Sequence, residues 1–436
     1  MISSSFRDPS GYVFEKEGVV YRKIADTYKG TLMRVVASGL YQDLVDSGLM
    51  IPFEVVSTDV VRPEQLNFVS YPYEWCFSQL KDAALVTLEI AKKAMIRNMI
   101  LKDASAYNIQ FHRGKPMLID HLSFEDYYEG EPWTAYKQFC EHFLAPLALM
   151  SYRDICLGQL LRVYIDGIPL DLINSLLPFR ANLNLHLLLH IRAHSVSQRY
   201  YEDRPLKMKK ISRISLLGIL DSLESCIRKL GWKPKGVWVD YYSEDDKYIR
   251  HKKELVSNFL DEVNPKIVWD LGANTGLFSD IAGKTGAQVI SFDSDPACVE
   301  KNYLNGNGPN VLPLLIDLTN PSPNMGWENR ERISLKERGN ADTILVLALI
   351  HHLAISNNLP LKMIAEFLKD ICYNLIIEFI PKEDLKVQKL LSTRKDIFPN
   401  YTQRDFEAEF SRHFDIREKE KVNSTSRALY LMRRKS

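Results

Sequence analysis

The stretch Ile267-Val268-Trp269-Asp270-Leu271-Gly272-Ala273-Asn274-Thr275-Gly276 constrains the fold more than any other part of the chain. It reads as an apolar strand ending in an acid, followed by a tight loop whose small residues let backbone approach a ligand closely. A second apolar run, Val289 to Phe292, ends in Asp293 at the separation expected of one strand–helix–strand unit. Together they describe a nucleoside site, with a glycine loop under one end and a carboxylate for the ribose hydroxyls. A nicotinamide dinucleotide is the rival ligand, but its fingerprint is G-x-G-x-x-G. Here Asn274 stands in place of the second glycine and Leu277 in place of the third.

Three further apolar runs follow in order. Val311 to Ile316 leads into Asp317-Leu318, Ile344 to Ile350 into His351-His352-Leu353, and Leu375 to Glu378 into Phe379-Ile380-Pro381. They alternate with helical stretches such as Pro296–Leu304 and Leu361–Ile371, the pattern of a parallel sheet covered on both faces. With the form Asp-x-Gly-x-Asn-x-Gly at residues 270–276, this half resembles the class I S-adenosylmethionine (AdoMet) methyltransferases, motif I included. The resemblance implies an α/β, doubly wound Rossmann-like domain over 237–436 with AdoMet as cofactor. It assigns Asp270, Gly272, Ala273, Asn274, Thr275 and Gly276 to the loop and methionine end. Asp293 and Ser294 go to the ribose, Asp317 and Leu318 to the adenine, and Ala348 to the end of the fourth strand. An aromatic lead-in with Tyr241, Tyr242 and Tyr248 supplies lid candidates, the alternative being that they pack the first helix onto the sheet.

Methyl transfer is an in-line displacement at a sulfonium carbon, so alignment is the main task. A hydroxyl or protonated amine acceptor also needs a base. His351, His352 and Glu378 are the catalytic candidates because they stand just past strand ends, where open α/β sheets bind ligands. Only one of two adjacent histidines should reach the substrate. Asn324 to Arg338, with Trp327, reads as an insertion shaping the acceptor pocket.

At 436 residues two domains are expected, with a seam near Gly231-Trp232-Lys233-Pro234-Lys235-Gly236. Residues 1–230 carry a second pattern. Gly11–Ile24 reads as a hairpin, a helical stretch runs to about Leu49, and Phe68–Trp75 resembles a strand entering a hinge. A long helix from Gln79 to Asn98 follows. Then come Asp103-Ala104-Ser105-Ala106-Tyr107-Asn108 and a short hairpin ending in Asp120. This order resembles the catalytic loop and metal segment of the kinase superfold, nearest its small-molecule phosphotransferase branch. The resemblance implies an α+β kinase-like domain with Asp103 as base and Asn108 and Asp120 as Mg²⁺ ligands. The departures point to a pseudokinase. Leu101 replaces the loop histidine, His121-Leu122 replace Phe-Gly, and the glycine-rich phosphate loop is missing. Lys23 or Arg22 occupies about the strand position of the ATP-anchoring lysine.

A net charge of +1 gives no general pull toward nucleic acid or an acidic membrane, and the basic run Arg204 to Arg213 reads as solvated surface. The most apolar stretch, Leu183 to Ile191, is too short to span a bilayer. Six scattered cysteines fit a reduced, cytoplasmic protein, and the first residues show no signal-peptide segment. His186, His190 and His194 line one helical stripe; a metal there lacks further ligands in the sequence, and no metal is expected.

Taken whole, the chain resembles bacterial AdoMet-dependent methyltransferases grouped with rhizobial host-specific nodulation proteins. The resemblance is carried also by Phe6-Arg7-Asp8-Pro9-Ser10-Gly11, Ser70-Tyr71-Pro72-Tyr73-Glu74-Trp75, Asp317-Leu318-Thr319-Asn320-Pro321 and Ile377-Glu378-Phe379. It implies methyl transfer to an O or N atom of a small-molecule or carbohydrate-like acceptor. Two alternatives stand beside this: a bifunctional methyltransferase and small-molecule kinase, and a non-catalytic AdoMet-binding scaffold. The kinase-shaped half would then serve docking, substrate presentation or a homodimer.

Overall fold

Two-residue turns organise the first part of the chain. Gly11–Lys16 and Val19–Ile24 pair antiparallel across Glu17 and Gly18, both with positive φ, the backbone that matches strand twist in a tight hairpin. In the computed structural model, which describes residues 5–193, 210–236, 247–306, 308–392 and 394–435, this hairpin continues into a four-stranded antiparallel sheet. Val60–Pro63 and Phe53–Ser57 complete it. Helices Asp26–Ala37 and Leu40–Asp46 intervene.

The chain divides into two units. One comprises residues 1–233 together with 324–332, the other residues 234–323 and 333–436. In the first unit the segment Phe68–Trp75 is not a strand. It holds only a short 3-10 turn, Pro72–Glu74, closed by the Glu74 carboxylate accepting from the Tyr71 amide at 2.9 Å. Its aromatic residues are there for burial, with Tyr71, Tyr73 and Trp75 nearly inaccessible. The long helix spans Phe77–Ile96, and its Leu80, Ala84, Leu88, Ala91 and Met95 form one buried stripe at helical spacing. It packs against the helix Arg213–Lys229, to which Lys92 adds ion pairs with Asp221 and Glu224 at 2.5 Å. Beyond it, Met99–Leu101 pairs with Phe124–Asp126, and Ile109–His112 with Lys115–Leu118.

The second unit carries a seven-stranded sheet. Its strands are β1 (Ile267–Leu271), β2 (Gln288–Asp293), β3 (Val311–Leu315), β4 (Ala341–Val346), β5 (Cys372–Phe379), β6 (Phe414–Lys421) and β7 (Ala428–Arg434). The spatial order is β3-β2-β1-β4-β5-β7-β6, with β1 to β5 parallel and β7 antiparallel to both neighbours. The sheet is therefore mixed, not all parallel as its first five strands suggest. Strand order reverses at β1, and the crossovers place helices on both faces.

Alternation along the strands shows the two covers. Val268, Val289, Leu345, Ile376, Leu429 and Leu431 meet one core with α1 (Lys247–Val263) and α2 (Leu277–Lys284). The other face holds Trp269 edge-on to Phe292, and a cluster of Phe379, Tyr401, Phe406 and Tyr430. Helices α4 (Leu361–Ile371) and α6 (Gln403–Phe410), which pack together, present their apolar stripes there. Between β2 and β3 lies α3 (Pro296–Asn305), and between β5 and β6 lies α5 (Leu385–Leu391) ahead of α6. No helix among the described residues is long and apolar enough to cross a membrane.

Candidate functional site

Parallel strands end together on one edge, so the loops after β1, β2, β3 and β4 converge. They enclose a cavity of about 350 Å³. Eight of the residues singled out in the sequence line it: Gly272, Asn274, Asp293, Ser294, Asp317, Leu318, Ala348 and His352.

The loop after β1 is anchored on the backbone of β2. The amides of Gly272 and Ala273 both donate to the Phe292 carbonyl, at 2.8 and 2.9 Å. Gly272 has φ +74°, and a Cβ there would stand 3.1 Å from the Leu349 side chain on the cavity wall. Asn274 also has positive φ, a conformation that asparagine tolerates better than other residues bearing a Cβ, and its side chain accepts from the Thr275 amide. Gly276, again left-handed, starts α2. Ala273, Thr275 and Gly276 thus shape the loop but do not line the cavity.

Asp293 clamps this loop. Its Oδ2 accepts from the Asn274 amide at 2.7 Å and its Oδ1 from the Asp295 amide at 2.9 Å. Burial raises its pKa, and the backbone donors oppose that. Each oxygen keeps a lone-pair direction for a further donor. Asp317 is exposed and turns back on Thr319, accepting from both its amide and its hydroxyl. Asp270 is buried beneath the loop and accepts from Ser279 Oγ on α2 at 2.7 Å; burial pushes its carboxyl up to about 6.

The β4 end differs from its sequence reading. The strand stops at Val346, not at Ile350, because Ala348 turns left-handed at φ 53°. His351 and His352 then stand at the start of a helical turn, their rings 4.3 Å apart. His352 reaches the cavity and burial lowers its pKa, so it is neutral near pH 7. His351 does not reach it. Its ring is 1% exposed, both nitrogens lack a hydrogen-bond partner among the described residues, and burial holds it neutral well below the ordinary histidine range.

Glu378 is a correction of the same kind. It is fully buried against Lys252 of α1 and does not itself line the cavity. Its Oε2 accepts from Lys252 Nζ at 2.6 Å and from the Ala348 amide at 2.8 Å. A carboxylate committed to these donors is not positioned as a base. Tyr248 is also displaced from its lid assignment: it sits on α1, half-buried against the core, with the Arg427 guanidinium 5.5 Å from its ring. Tyr241 and Tyr242 lie outside the described residues. Lys252 was missed. The signal was present, since the α1 stripe Ile249, Lys252, Val256, Phe259 puts a lysine among apolar positions.

A second cluster lies in the first unit. Asp120 is buried against the Arg22 guanidinium, and it also accepts from Ser123 Oγ and from the Leu122 amide at 3.0 Å. Lys23 is spent on Asp59. Asp103 accepts from the Ser105 amide at 3.0 Å, and Asn108 ties its carbonyl to the Ile119 amide. Lys102 donates to Ser10 Oγ at 2.6 Å. Of the stretch 324–338, expected to shape an acceptor pocket, residues 324–332 belong to this unit and the rest to the second. Met325 and Arg332 pair as a bridge, the nearly inaccessible Glu331 carboxylate takes Arg7 at 2.8 Å, and the Arg332 guanidinium lies 4.1 Å from the Tyr107 ring centre. His186 and His190 share Ser222 Oγ at 2.9 Å, which accounts for both without a metal, and His194 lies outside the described residues. Among the described residues, no group of three or more His, Cys, Asp or Glu is placed to hold a metal ion.

No protein-family profile matches the chain. Solved structures similar to it include the N-methyltransferase NodS of Bradyrhizobium japonicum WM9, at 9% identity and TM-score 0.34 over 44% of this chain and all of that one. Another is the magnesium protoporphyrin IX methyltransferase of Synechocystis PCC 6803, at 16% identity and TM-score 0.31, covering 45% of this chain and 89% of that one. Likeness of that degree decides neither fold nor activity. The nodulation protein NoeA of Rhizobium meliloti (strain 1021) is another matter, being 33% identical over 458 residues that cover 99% of this chain and 96% of NoeA. An end-to-end match of that strength bears out the nodulation-protein resemblance read from the sequence, and the chain belongs to the NoeA family.

Proposed function

We propose that the second unit is an AdoMet-dependent methyltransferase domain acting on an oxygen or nitrogen of a small-molecule or carbohydrate-like acceptor. The observation that carries this reading is the cavity at the carboxyl ends of β1, β2 and β4, with Asp293 and the Gly272–Gly276 loop on one side and His352 on the other. Its volume is that of a small-molecule site, and its position is where open α/β sheets bind nucleosides. The narrow fit at Gly272, where a Cβ would crowd Leu349, favours a ligand lying close to backbone.

In this reading Asp293 receives the ribose hydroxyls, Asp317 and Leu318 face the adenine, and Gly272 and Ala348 flank the methionine portion. Asp270 holds α2 to the loop from below. AdoMet supplies an electrophilic methyl carbon on a positively charged sulfur. The protein's own part is alignment and, for a hydroxyl or ammonium acceptor, removal of one proton. His352 is the group for that step, being neutral, on the wall and past the strand end. His351, buried behind it, excludes water instead.

We read the first unit as a kinase-shaped module that does not transfer phosphoryl groups. The observation favouring this is the buried pairing of Arg22 with Asp120, which uses the carboxylate that would otherwise bind Mg²⁺. A cytoplasmic protein with no nucleic-acid partner completes the proposal. It is supported by free cysteines, five of them buried, and by the net charge of +1. The test is AdoMet carrying a labelled methyl group, offered with fractionated metabolites of the source organism. Label should pass to one small-molecule fraction, and its absence from every fraction would favour the non-catalytic scaffold.

A further inference from the structure

We propose that Glu378 is a positioning residue that holds the cofactor wall in place through the backbone amide of Ala348. The proposal rests on the AdoMet reading and adds the device that keeps its site in shape. Ala348 stands at φ 53°, a conformation in which a Cβ meets the following carbonyl oxygen and which alanine adopts only at a cost. Its N–H is taken by Glu378 Oε2 at 2.8 Å, a charge-assisted bond to a carboxylate with no solvent exposure. Leu347, Ala348 and Leu349 all line the cavity, and His352 follows one turn later. The wall therefore depends on a strained turn, and the turn is tied to one buried oxygen.

A buried carboxylate needs a cation, and Lys252 of α1 provides it at 2.6 Å. Behind them Arg427 lies 3.6 Å from Glu378 Oε1 and binds Asp384 through Nε at 2.8 Å. Lys252 and Arg427 thus stand against Glu378 and Asp384 under the sheet end. The arrangement joins α1, β4 and β5 at the point where the ligand would sit. Lys252 aims Glu378, and Glu378 keeps Ala348 left-handed.

The experiment uses the full chain and S-adenosylhomocysteine, the demethylated product, as probe. In Lys252→Met/Glu378→Gln the charges are gone but an oxygen for the Ala348 amide is kept. In Lys252→Met/Glu378→Leu the oxygen is gone and the core is apolar. Calorimetry should find the first variant within about threefold of the unaltered protein. The second should be weaker by about tenfold, and adding Ala348→Gly should recover most of that loss, since glycine holds positive φ unaided. Equal affinity in both double variants, or no recovery with glycine, would overturn the proposal. Amide hydrogen exchange on the unaltered protein needs no variant to fold: protection at Ala348 supports the tie, and exchange at the solvent rate overturns it. Should the unaltered protein fail to bind the probe while Ala348 is protected, the ligand reading falls and the positioning tie stands.

Discussion

Two acid clusters in this chain look equally informative as sequence and differ sharply in what surrounds them. In the second unit Asp293 accepts from the backbone amides of Asn274 and Asp295, which oppose the effect of its burial, and it lines a cavity. In the first unit Asp120 is buried and is met by a buried guanidinium, a hydroxyl and an amide. The lesson is that a carboxylate's partners, not its place in a motif, decide whether it can receive a ligand. Backbone donors orient an acid; a buried cation consumes it.

The largest effect expected from this contrast is on stability. Asp120→Ala would leave the buried Arg22 with Asp8, 3.8 Å away, as its nearest acid among the described residues, and breaking a buried pair typically costs about 3–5 kcal/mol. Chemical denaturation should show that loss. A change below roughly 1 kcal/mol would mean that Arg22 and Asp120 are not truly committed to each other.

Next is a pH dependence at Asp270, the acid under the loop. Its carboxyl is raised from 3.8 to about 6 in the folded protein. Between those values the folded state holds a proton that the unfolded state has lost, so Asp270's contribution to stability falls as pH rises from about 4 to about 6. The two endpoints correspond to about 3 kcal/mol. Asp270→Asn should flatten that part of the stability–pH curve relative to the unaltered protein. Parallel curves for the two proteins would refute the assignment.

Asp293→Ala sharpens the comparison from the other side. It removes the clamp on the Asn274 amide as well as the proposed ribose acceptor. AdoMet affinity should fall by about 2–3 kcal/mol, roughly 30- to 150-fold, in a protein that still folds. Unchanged affinity by calorimetry would remove Asp293 from the site. The smallest effect is predicted for Asp103→Ala, whose carboxylate accepts from the Ser105 amide at 3.0 Å: methyl transfer should stay within about twofold.

How far the sequence could be read follows the same division between local and distant partners. The ends of β1, β2 and β3 were legible because an apolar run stopped by an acid is a local pattern, and the cavity loops follow from it. The β4 end was not. Its stop at Val346 comes just before Ala348, whose amide is bonded to Glu378 thirty positions further on, and Glu378 is in turn bonded to Lys252 of α1, so no window of neighbouring residues contains these partners. The pair β6 and β7 escaped notice because β6 is an edge strand whose exposed charges hide its alternation. Phe68–Trp75 was misread for the opposite reason: aromatic content suggested a strand where Pro72 and the Glu74 cap make a buried turn. The hairpin Phe53–Ser57 with Val60–Pro63 carried a strand pattern in Val55-Val56 and Val60-Val61 that was overlooked between helices.

The contrast between the two clusters is tested most directly by one calorimetric titration series on the full chain, with AdoMet in one cell and Mg·ATP in another. The account predicts one equivalent of AdoMet binding in the micromolar range and no heat of binding from Mg·ATP. Saturable Mg·ATP binding with AdoMet silent would contradict it, placing the working site at Asp103, Asn108 and Asp120 instead of at Asp293.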